Sequence, residues 1–529
     1  MHILAYDIGT TGVKTCVFRA GKTIELLGDA SGGYGLYVLP GGGAEQEPQE
    51  WWDAMADTTR KALQKAGIAP DDIHGISFCS QMQGLVLVDK AGVPLRRAFS
   101  YMDQRATKQH KEGMAHGLQV AGGNVVKLLR SLKATGAAAL SVKDPVWKYK
   151  WVEQNEPEVF ARTHKWLDVK EALIARMTGR CVMTQDSAFA TLLYDIHKRC
   201  WSKSVCNMLG VNIDHLPEIV PCTAQVGTLR EQQAQELGLV AGIPVFGGGG
   251  DAAIVGVGAG AVSLGDTHIY CGTSGWVSTV VGKSMVDAGA NIAAIVGAQE
   301  SLYNYFAEQE TAGKCLEWVK DHLALDEINV YLNKEFTHES PNHEAMYTSL
   351  YDYLMEVILK APIGAGGVIF TPWLHGNRCP FEDPSARGMF FGLSLQTGKT
   401  HMIRAVVEGV VYHLRWMLET QAKKTAISEV IRFVGGGALS DVMCQMLADC
   451  TGHTVETVAS PQNAGSMGAA AVAAVGAGLI DSLEQVKSLI PALQAYKPAQ
   501  ARKAQYDKYF RIYQQLHKAN KKLFQEMNA

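Results

Sequence analysis

The sequence lacks the features by which several large classes of protein are recognised. Its eleven cysteines form no CxxC pair and follow no regular spacing, which argues against a disulfide framework and against a zinc site. No stretch supplies the roughly 18 uninterrupted apolar residues of a membrane span. The first residues do not combine a basic segment with an apolar one as a secretory signal does. We therefore expect a cytoplasmic protein whose thiols stay reduced.

A strong charge of either sign is also missing. The formal net charge is −3 over 529 residues, and the charged residues gather in no basic run and no acidic tail. Neither a nucleic acid nor a membrane surface is therefore expected as a partner, and the substrate should be a small molecule. A chain of this length exceeds what one hydrophobic core serves, so we expect two or more domains.

Two hairpin patterns lie about half the chain apart. Residues 3–18 are apolar and β-rich on both sides of residues 9–12, and residues 268–281 repeat this pattern around residues 272–275. Each pattern predicts two strands joined by a tight glycine turn, whose backbone N–H groups are exposed. The repetition indicates an internal duplication.

The rest of the chain alternates strand and helix patterns. In each half a strand pattern, residues 243–246 or 431–434, runs into consecutive glycines and then a helical stretch. Amphipathic helices are predicted over residues 48–65, 405–422 and 506–527. The last of these should be a surface helix packed on the second domain. The predicted class is therefore α/β with mixed sheets, one in each domain.

The segment of residues 7–14 gathers what phosphate handling requires. It offers glycines for close backbone approach, the hydroxyls of Thr10 and Thr11, a carboxylate for a metal ion and the cation of Lys14. Nests of backbone N–H groups bind anions well. A plain β-turn with a buried Asp is the alternative for one such turn. The second copy at residues 272–275 favours two loops that clamp phosphates from opposite domains, as phosphoryl transfer needs.

Asp251 ends a run of four glycines and heads a helical stretch. The helix dipole stabilises a carboxylate at this place, so we expect Asp251 to be ionised near neutral pH. Such a group can accept the proton of an attacking hydroxyl or hold Mg²⁺. A purely structural helix-capping role is the alternative, which the neighbouring glycines and the two hairpins disfavour.

Together these segments resemble the FGGY family of carbohydrate kinases over essentially the whole chain. The motifs that carry the resemblance are residues 7–14, 45–48, 51–52, 81–84, 103–105, 248–251, 272–275, 388–408 and 435–438. The resemblance implies an actin-like ATPase fold of two ribonuclease-H-like domains around a cleft. It implies a sugar-binding domain over residues 1–258 and a nucleotide-binding domain over residues 259–529, which ends in a helical tail. We place the hinge in the stretch rich in glycine and alanine between Gly256 and Gly265.

The resemblance also implies roles for single residues, with ATP and Mg²⁺ as the cofactors. Asp251 would be the catalytic base, and together with Asp7 it would hold the metal ion. The residues implied to bind the sugar are Met82, Gln83, Gly84, Asp103 and Asp251. Those implied to bind ATP are Thr10, Thr11, Lys14, Gly272, Thr273, Gly313, Glu317, Gly436, Gly437 and Asp441.

The sugar loop departs from the ketopentose kinases of this family. Gln83 stands where they usually carry a histidine, so an amide with a different reach replaces an imidazole. The leading expectation is still the conversion of D-xylulose to D-xylulose 5-phosphate. Ribulose, other ketoses, sugar acids and polyols remain alternatives within the family.

Three other segments carry expectations of their own. Residues 125–146 are longer and more basic than the usual link of the family, and a solvated loop is favoured there over a segment that covers the cleft mouth. Residues 376–380 read Gly-Asn-Arg-Cys-Pro, a second departure from relatives. Trp51 and Trp52 are interpreted as core packing of a helix rather than as a platform for a sugar.

Two other functional classes compete with the kinase interpretation. The glycine runs at residues 247–250 and 256–260 could form the dinucleotide turn of a nicotinamide enzyme, but they lack the sequence of strand, GxGxxG and helix. A non-catalytic ATP-binding module of actin-like fold is the second alternative, which Asp251 together with Asp103 disfavours. The resemblance is compatible with a homodimer, although no residue pattern in this sequence indicates one.

Overall fold

The computed structural model describes residues 1–120, 122–323 and 350–528. The strands of the first half are β1 His2–Ile8, β2 Gly12–Ala20, β3 Ile24–Gly33, β4 Tyr37–Leu39, β5 Gly43–Gln46, β6 Ile73–Ser80, β7 Val86–Val88, β8 Ala98–Phe99, β9 Gln119–Val120, β10 Gly123–Asn124, β11 Lys165–Leu167, β12 Val182–Thr184, β13 Tyr194–Asp195, β14 Cys200–Trp201, β15 Glu218–Val220, β16 Gln225–Thr228, β17 Pro244–Phe246 and β18 Gly249–Gly250. Its helices are α1 Pro48–Ala66, α2 Thr107–Gly113, α3 Val125–Thr135, α4 Pro145–Asn155, α5 Pro157–Arg162, α6 Val169–Thr178, α7 Gln185–Ala190, α8 Lys203–Leu209, α9 Glu231–Leu237 and α10 Asp251–Gly258.

Among the described residues, the second half contains fewer and longer elements. Its described strands are β19 Thr267–Cys271, β20 Gly275–Val281, β21 Val286–Asp287, β22 Ile292–Val296, β23 Tyr303–Gln309, β24 Ile369–Thr371, β25 Met389–Phe391, β26 Val430–Val434, β27 Thr454–Val458 and β28 Ala492–Tyr496. Its described helices are α11 Gly313–His322, α12 Leu350–Ile358, α13 Lys399–Ala422, α14 Asp441–Thr451, α15 Ala464–Gly476, α16 Val486–Leu489 and α17 Gln500–Asn528.

Both halves are built around a large sheet of the same topology. In the first half, antiparallel β3, β2 and β1 are continued by parallel β6 and β17. In the second half, antiparallel β23, β20 and β19 are continued in the same way by β26 and β27. Three antiparallel strands followed by parallel ones are the ribonuclease-H-like arrangement. The predicted duplication, both glycine-turn hairpins and the actin-like ATPase fold are therefore confirmed.

Helix α1 shows why the predicted helices form. Pro48 stands at its first turn, and Gly67 ends it in the left-handed conformation, with φ 66°. The face that carries Trp51, Trp52 and Met55 packs on the first sheet, where these side chains are at most 2% exposed. The two tryptophans are thus core residues, as predicted, and do not reach the cleft.

The C-terminal helix α17 packs on the second half, as predicted. Its side chains Tyr506, Phe510 and Tyr513 are buried in the core of that half. Further along the helix, His517 Nε2 lies 2.8 Å from the Asp383 carboxylate. These contacts attach the tail to the second half.

Helices α10 and α15 cross at very close range between the two sheets. A Cβ atom on Gly258 would lie 1.8 Å from the Ala464 carbonyl oxygen, and one on Gly468 would lie 2.1 Å from that of Ile254. Only glycine fits at these two positions. Helix α15 also packs on β1 and β6, so one hydrophobic cluster joins both halves. Gly258, in the stretch where the sequence predicts a hinge, thus serves close helix packing, and the hinge stays a prediction.

Candidate active site

The turn between β1 and β2 exposes the predicted phosphate-binding groups. Gly9 N donates to Gly12 O at 2.9 Å, and the Tyr34 hydroxyl lies 2.5 and 2.9 Å from the carbonyl oxygens of Gly9 and Gly12. Thr11 is exposed and Thr10 is half-buried. The Thr10 hydroxyl donates to the Tyr101 hydroxyl at 3.5 Å, whereas Thr11 is open to solvent.

Asp7 and Lys14 face each other across this hairpin as register partners. Removal from water raises the pKa of the half-buried Asp7, and the nearby Lys14 charge opposes this shift. The Lys14 ammonium donates to the carbonyl oxygen of Gln462 in the second half, at 2.6 Å. Lys14 therefore joins the hairpin to the other half in this arrangement, and its predicted contact with ATP stays a prediction.

Asp251 is the first residue of α10, and Gly250 occupies the position before it. Its carboxylate accepts the Ala252 N–H at 2.8 Å. Burial raises the pKa of Asp251 to about 7, and the charges of Asp7 and Glu308 add to the shift. Desolvation therefore opposes the ionisation that the sequence predicts near neutral pH, and it outweighs the effect of the helix terminus. A carboxyl group with a pKa near neutrality suits a general base.

The pair of carboxylates at Asp7 and Asp251 fits a magnesium ion. The charge of Asp7 raises the pKa of Asp251, so a cation held near both carboxylates would relieve this repulsion. The described residues contain no group of three or more His, Cys, Asp or Glu side chains arranged for a metal. Mg²⁺ in kinases needs no such cage, since one or two carboxylates suffice together with substrate phosphates and water.

The predicted sugar loop, residues 81–84, is tied directly to the phosphate turn. Gln81 N donates to Ile8 O at 2.8 Å, and Gln81 Nε2 donates to Gln46 Oε1 at 2.9 Å. Gln46 Nε2 in turn donates to the carbonyl oxygen of Thr10 at 2.6 Å. The two loops are thus held in one rigid frame at the ends of β1 and β6.

Two side chains that the sequence did not reveal fix the tip of this loop. Gln83 has the left-handed φ of 63°, which is unusual for glutamine. Its carbonyl oxygen accepts a hydrogen bond from the buried Lys148 of α4 at 2.9 Å. The N–H of Gly84 donates to Asp168 Oδ1 at 2.9 Å. Helix and strand patterns give no signal for these contacts, since a lysine in an amphipathic helix is ordinarily solvated.

The sugar loop lies against the turn that carries Asp251. A Cβ atom on Gly250 would lie 2.2 Å from the Met82 side chain, so Met82 packs directly on the residue before Asp251. Met82 and Gln83 are both half-buried. The structure therefore brings the predicted sugar loop, the predicted base and the first phosphate turn to one place.

Asp103 is held in a network of bonds within the protein. Its side chain is 0% exposed and forms an ion pair with Arg105 at 2.9 Å. One carboxylate oxygen also accepts the Ala44 N–H at 2.7 Å, and the other accepts the Arg105 N–H at 3.0 Å. These bonds fix the position of the Asp103 carboxylate, and its predicted contact with the sugar stays a prediction.

On the nucleotide side, the second glycine turn is joined to the start of α11. Gly313 N donates to Gly272 O at 2.7 Å, and Lys314 N donates to Thr273 O at 3.1 Å. The Thr273 side chain is exposed. Glu317 lies one turn further along α11 and pairs with Lys314 at 3.0 Å. The turn and the helix thus form one unit with an exposed hydroxyl.

The glycines after β26 lie beside this unit. Gly436 and Gly437 begin a single 3₁₀ turn, Gly436–Leu439, and a Cβ atom on Gly437 would lie 2.9 Å from the Cys271 side chain. Asp441 begins α14, and its carboxylate accepts the Tyr496 hydroxyl at 2.5 Å. The predicted nucleotide residues therefore gather at the ends of β19 and β26, and their contact with ATP stays a prediction.

The favoured interpretation of residues 125–146 as a solvated loop was wrong. These residues form α3 and lead into α4, and Ala134 O accepts the Ile196 N–H at 3.0 Å. A Cβ atom on Gly136 would lie 2.8 Å from the Ser284 hydroxyl of the second half. The segment is an ordered helical connection that reaches across to the other half.

An actin-like fold with a glycine-turn hairpin on each side of a shared core suits an ATP-dependent phosphotransferase. Comparison with known proteins gives the family. The family models for the FGGY carbohydrate kinases match this chain over residues 2–258 for the N-terminal domain and 268–477 for the C-terminal domain. The chain therefore belongs to the FGGY family of carbohydrate kinases, enzymes that use ATP to phosphorylate a sugar.

Individual relatives cover nearly the whole chain at modest identity. A xylulose kinase of Bacillus subtilis is 28% identical over 523 residues, 99% of this chain and 98% of its own. A gluconokinase of Bacillus licheniformis is 27% identical over 523 residues, 98% of this chain and 96% of its own. The crystal structure of ligand-bound xylulose kinase from Lactobacillus acidophilus superposes with a TM-score of 0.83 at 24% identity, with 99% of each chain covered. Within the described ranges, no helix is long and apolar enough to cross a membrane.

Proposed function

We propose that this kinase transfers the γ-phosphate of Mg-ATP to a hydroxyl of D-xylulose and forms D-xylulose 5-phosphate. The observation that carries the proposal is the place of Asp251, which lies between the sugar loop and the first phosphate turn with a pKa of about 7. Xylulose kinases among the relatives at 28% identity support the choice of sugar. Gluconate is the second candidate, because gluconokinases match almost as well.

Each group of residues in the site has its own role in the phosphoryl transfer. Asp251 accepts the proton of the attacking hydroxyl, while the loop of residues 81–84 orients the sugar over it. The turns with Thr10, Thr11 and Thr273 hold the phosphates from both halves through N–H groups and hydroxyls. Mg²⁺, held by Asp7 and Asp251, would neutralise charge on the β- and γ-phosphates.

A substrate panel tests this proposal. We expect purified protein with Mg-ATP to release ADP in a sugar-dependent manner, with the highest kcat/KM on D-xylulose among D-xylulose, D-ribulose, D-gluconate and a pentitol. The position of the phosphate in the product is determined by NMR. If kcat/KM is highest on D-gluconate, then gluconate replaces D-xylulose as the proposed substrate. ADP release that requires no sugar would refute both candidates.

A further inference from the structure

The candidate base Asp251 is preceded by backbone that has little intrinsic order. Residues 247–250 are four consecutive glycines, and a glycine backbone has more conformational freedom than that of any other residue. A catalytic group, however, must be held within about 0.5 Å of its productive position. Contacts from outside the glycine run must therefore fix the position of Asp251.

Gly250, the residue before Asp251, is held by contacts on several sides. Strand β18, to which it belongs, pairs with β6. The Met82 side chain of the sugar loop packs on it, since a Cβ atom on Gly250 would lie 2.2 Å from this side chain. A polar contact joins these two, because the N–H of Gly250 donates to Asp186 Oδ2 at 2.6 Å. The side chain of Asp186 is thus bonded directly to the residue that leads into the base.

The carboxylate of Asp186 is buried and both of its oxygens are engaged. Asp186 lies in the first turn of α7 and is 1% exposed. Its other oxygen, Oδ1, accepts the thiol of the buried Cys222 at 3.3 Å. Hydrogen bonds to an ionised acceptor are shorter and stronger than bonds between neutral groups. The bond from Gly250 N is therefore a strong restraint on the backbone before the base.

A buried cation lies beside Asp186 and anchors the turn that carries it. Lys170 of α6 is 0% exposed and pairs with the equally buried Glu171. Its ammonium also donates to Thr184 Oγ1 at 2.6 Å and to Ser187 Oγ at 3.0 Å. Burial lowers the pKa of Lys170, but the charges of Glu171 and Asp186 outweigh this effect and raise it above its ordinary value. Lys170 therefore stays charged and holds the chain on both sides of Asp186.

Helix α7 is also anchored to the second half. Gln185, next to Asp186, donates from Nε2 to Gly297 O at 3.2 Å and to Ala298 O at 3.3 Å. The attraction between buried charges is largely offset by their loss of hydration, so such a network adds little net stability. It does provide a rigid support, with one bond made to the residue before the base.

We propose that Asp186 is a positioning residue for the phosphoryl transfer: through its bond to Gly250 N, it fixes the direction in which the Asp251 carboxylate faces the sugar. The inference rests on the proposed role of Asp251 as the base. Since the Asp186 side chain is buried, it acts through Asp251 and not by contact with a ligand.

Variants that lose or keep the acceptor test this role. Asp186→Ala removes the acceptor of the Gly250 N–H, so kcat per folded enzyme should fall about tenfold or more, while KM for ATP should change less than about twofold. Asp186→Asn keeps an oxygen for this N–H and should recover most of the lost kcat. Ser187→Ala is the matched control, because it removes a bond to Lys170 from the same helix and should leave kcat unchanged.

A double-mutant cycle shows whether Asp186 acts through Asp251. In the Asp251→Asn background the base is already lost, so adding Asp186→Ala should lower kcat by less than about a further twofold. A further drop as large as in the single variant would overturn the assignment. So would an unchanged kcat in Asp186→Ala, an Asp186→Asn variant that is no better than Asp186→Ala, or an equal loss in the Ser187→Ala control.

Folding and the identity of the base are tested separately. If Asp186→Ala does not fold, Asp186→Ser takes its place in the cycle, because the serine hydroxyl ends one bond short of the aspartate oxygens. Near-normal kcat of Asp251→Asn alone would refute the proposed base, whereas failure of the Asp186 variants alone would refute only the inference. Each kcat is measured on the sugar that the wild type prefers, so the result does not depend on D-xylulose being the substrate.

Discussion

Asp251 lies at the point where the sugar loop, the first phosphate turn and α10 meet. Replacement by asparagine keeps the shape and the acceptor for Ala252 N–H, but it removes the group that takes the proton. We expect kcat of Asp251→Asn to fall about 100-fold or more, since loss of a general base costs at least this much. The dissociation constant of the sugar, measured by calorimetry, should change far less.

A surface control separates this effect from a general loss of charge. Asp71→Asn changes an exposed carboxylate of the same domain and should leave kcat unaltered. Near-normal turnover of Asp251→Asn would show that another group accepts the proton. An equal loss in sugar affinity and in kcat would show that the carboxylate binds the sugar and does not act in the chemical step.

Residue type and position predicted where Asp251 lies but not the pKa of its side chain. The four glycines before Asp251 and the helical stretch after it predict a helix that starts at this residue, and Asp251 begins α10. Its pKa near 7 depends on burial beside Asp7 and Glu308, and Glu308 comes from the other half of the chain. Asp103 shows the same limit, because its partners Ala44 and Arg105 become visible only once the loops have folded together.

At the scale of elements, the sugar loop depends on a lysine from α4. Lys148 holds the carbonyl oxygen of Gln83 in a left-handed conformation that costs free energy. We expect Lys148→Met to raise KM for the sugar about tenfold, the value of one charged hydrogen bond, with a smaller change in KM for ATP. Lys150→Met on the same helix is the control, because Lys150 bonds to Gly210 O on the outside.

The same lysine predicts a pH dependence. Burial lowers the pKa of Lys148 to about 8, while Asp103, Asp168 and Asp144 oppose the shift. Since the charged form is the stronger donor, KM for the sugar should be constant below pH 7 and rise as the pH increases through about 8. The Lys148→Met variant should lose this rise. A rise that persists in the variant would assign it to another group.

Helices and hairpins were predictable wherever the pattern was local. The glycine turns at residues 9–12 and 272–275 and the helices α1, α13 and α17 follow from apolar spacing and from turn residues. Residues 125–146 were misjudged because their basic residues suggested a solvated loop. The N-cap Asn124, which accepts the N–H groups of Val126 and Lys127, is the signal in the sequence that could have revealed α3.

At the scale of the whole molecule, some of the polar contacts between the two halves end on backbone carbonyl groups. Lys14 bonds to Gln462 O at 2.6 Å, and Gln185 Nε2 bonds to Gly297 O at 3.2 Å and to Ala298 O at 3.3 Å. Each of these bonds ends on a backbone carbonyl group, so it can re-form at a slightly different angle between the halves. The apolar crossing of α10 and α15 is the fixed point about which such a rotation would occur.

Rotation about this crossing would bring the two phosphate turns together, as an in-line transfer requires. We expect small-angle X-ray scattering of the protein with D-xylulose and a non-hydrolysable ATP analogue to show a smaller radius of gyration than the free protein. Sugar alone and nucleotide alone should each give a smaller change, because each occupies one side of the cleft. An unchanged radius at saturation of both ligands, verified by calorimetry, would mean that the halves are already in the catalytic arrangement and that α10 and α15 act as a rigid joint.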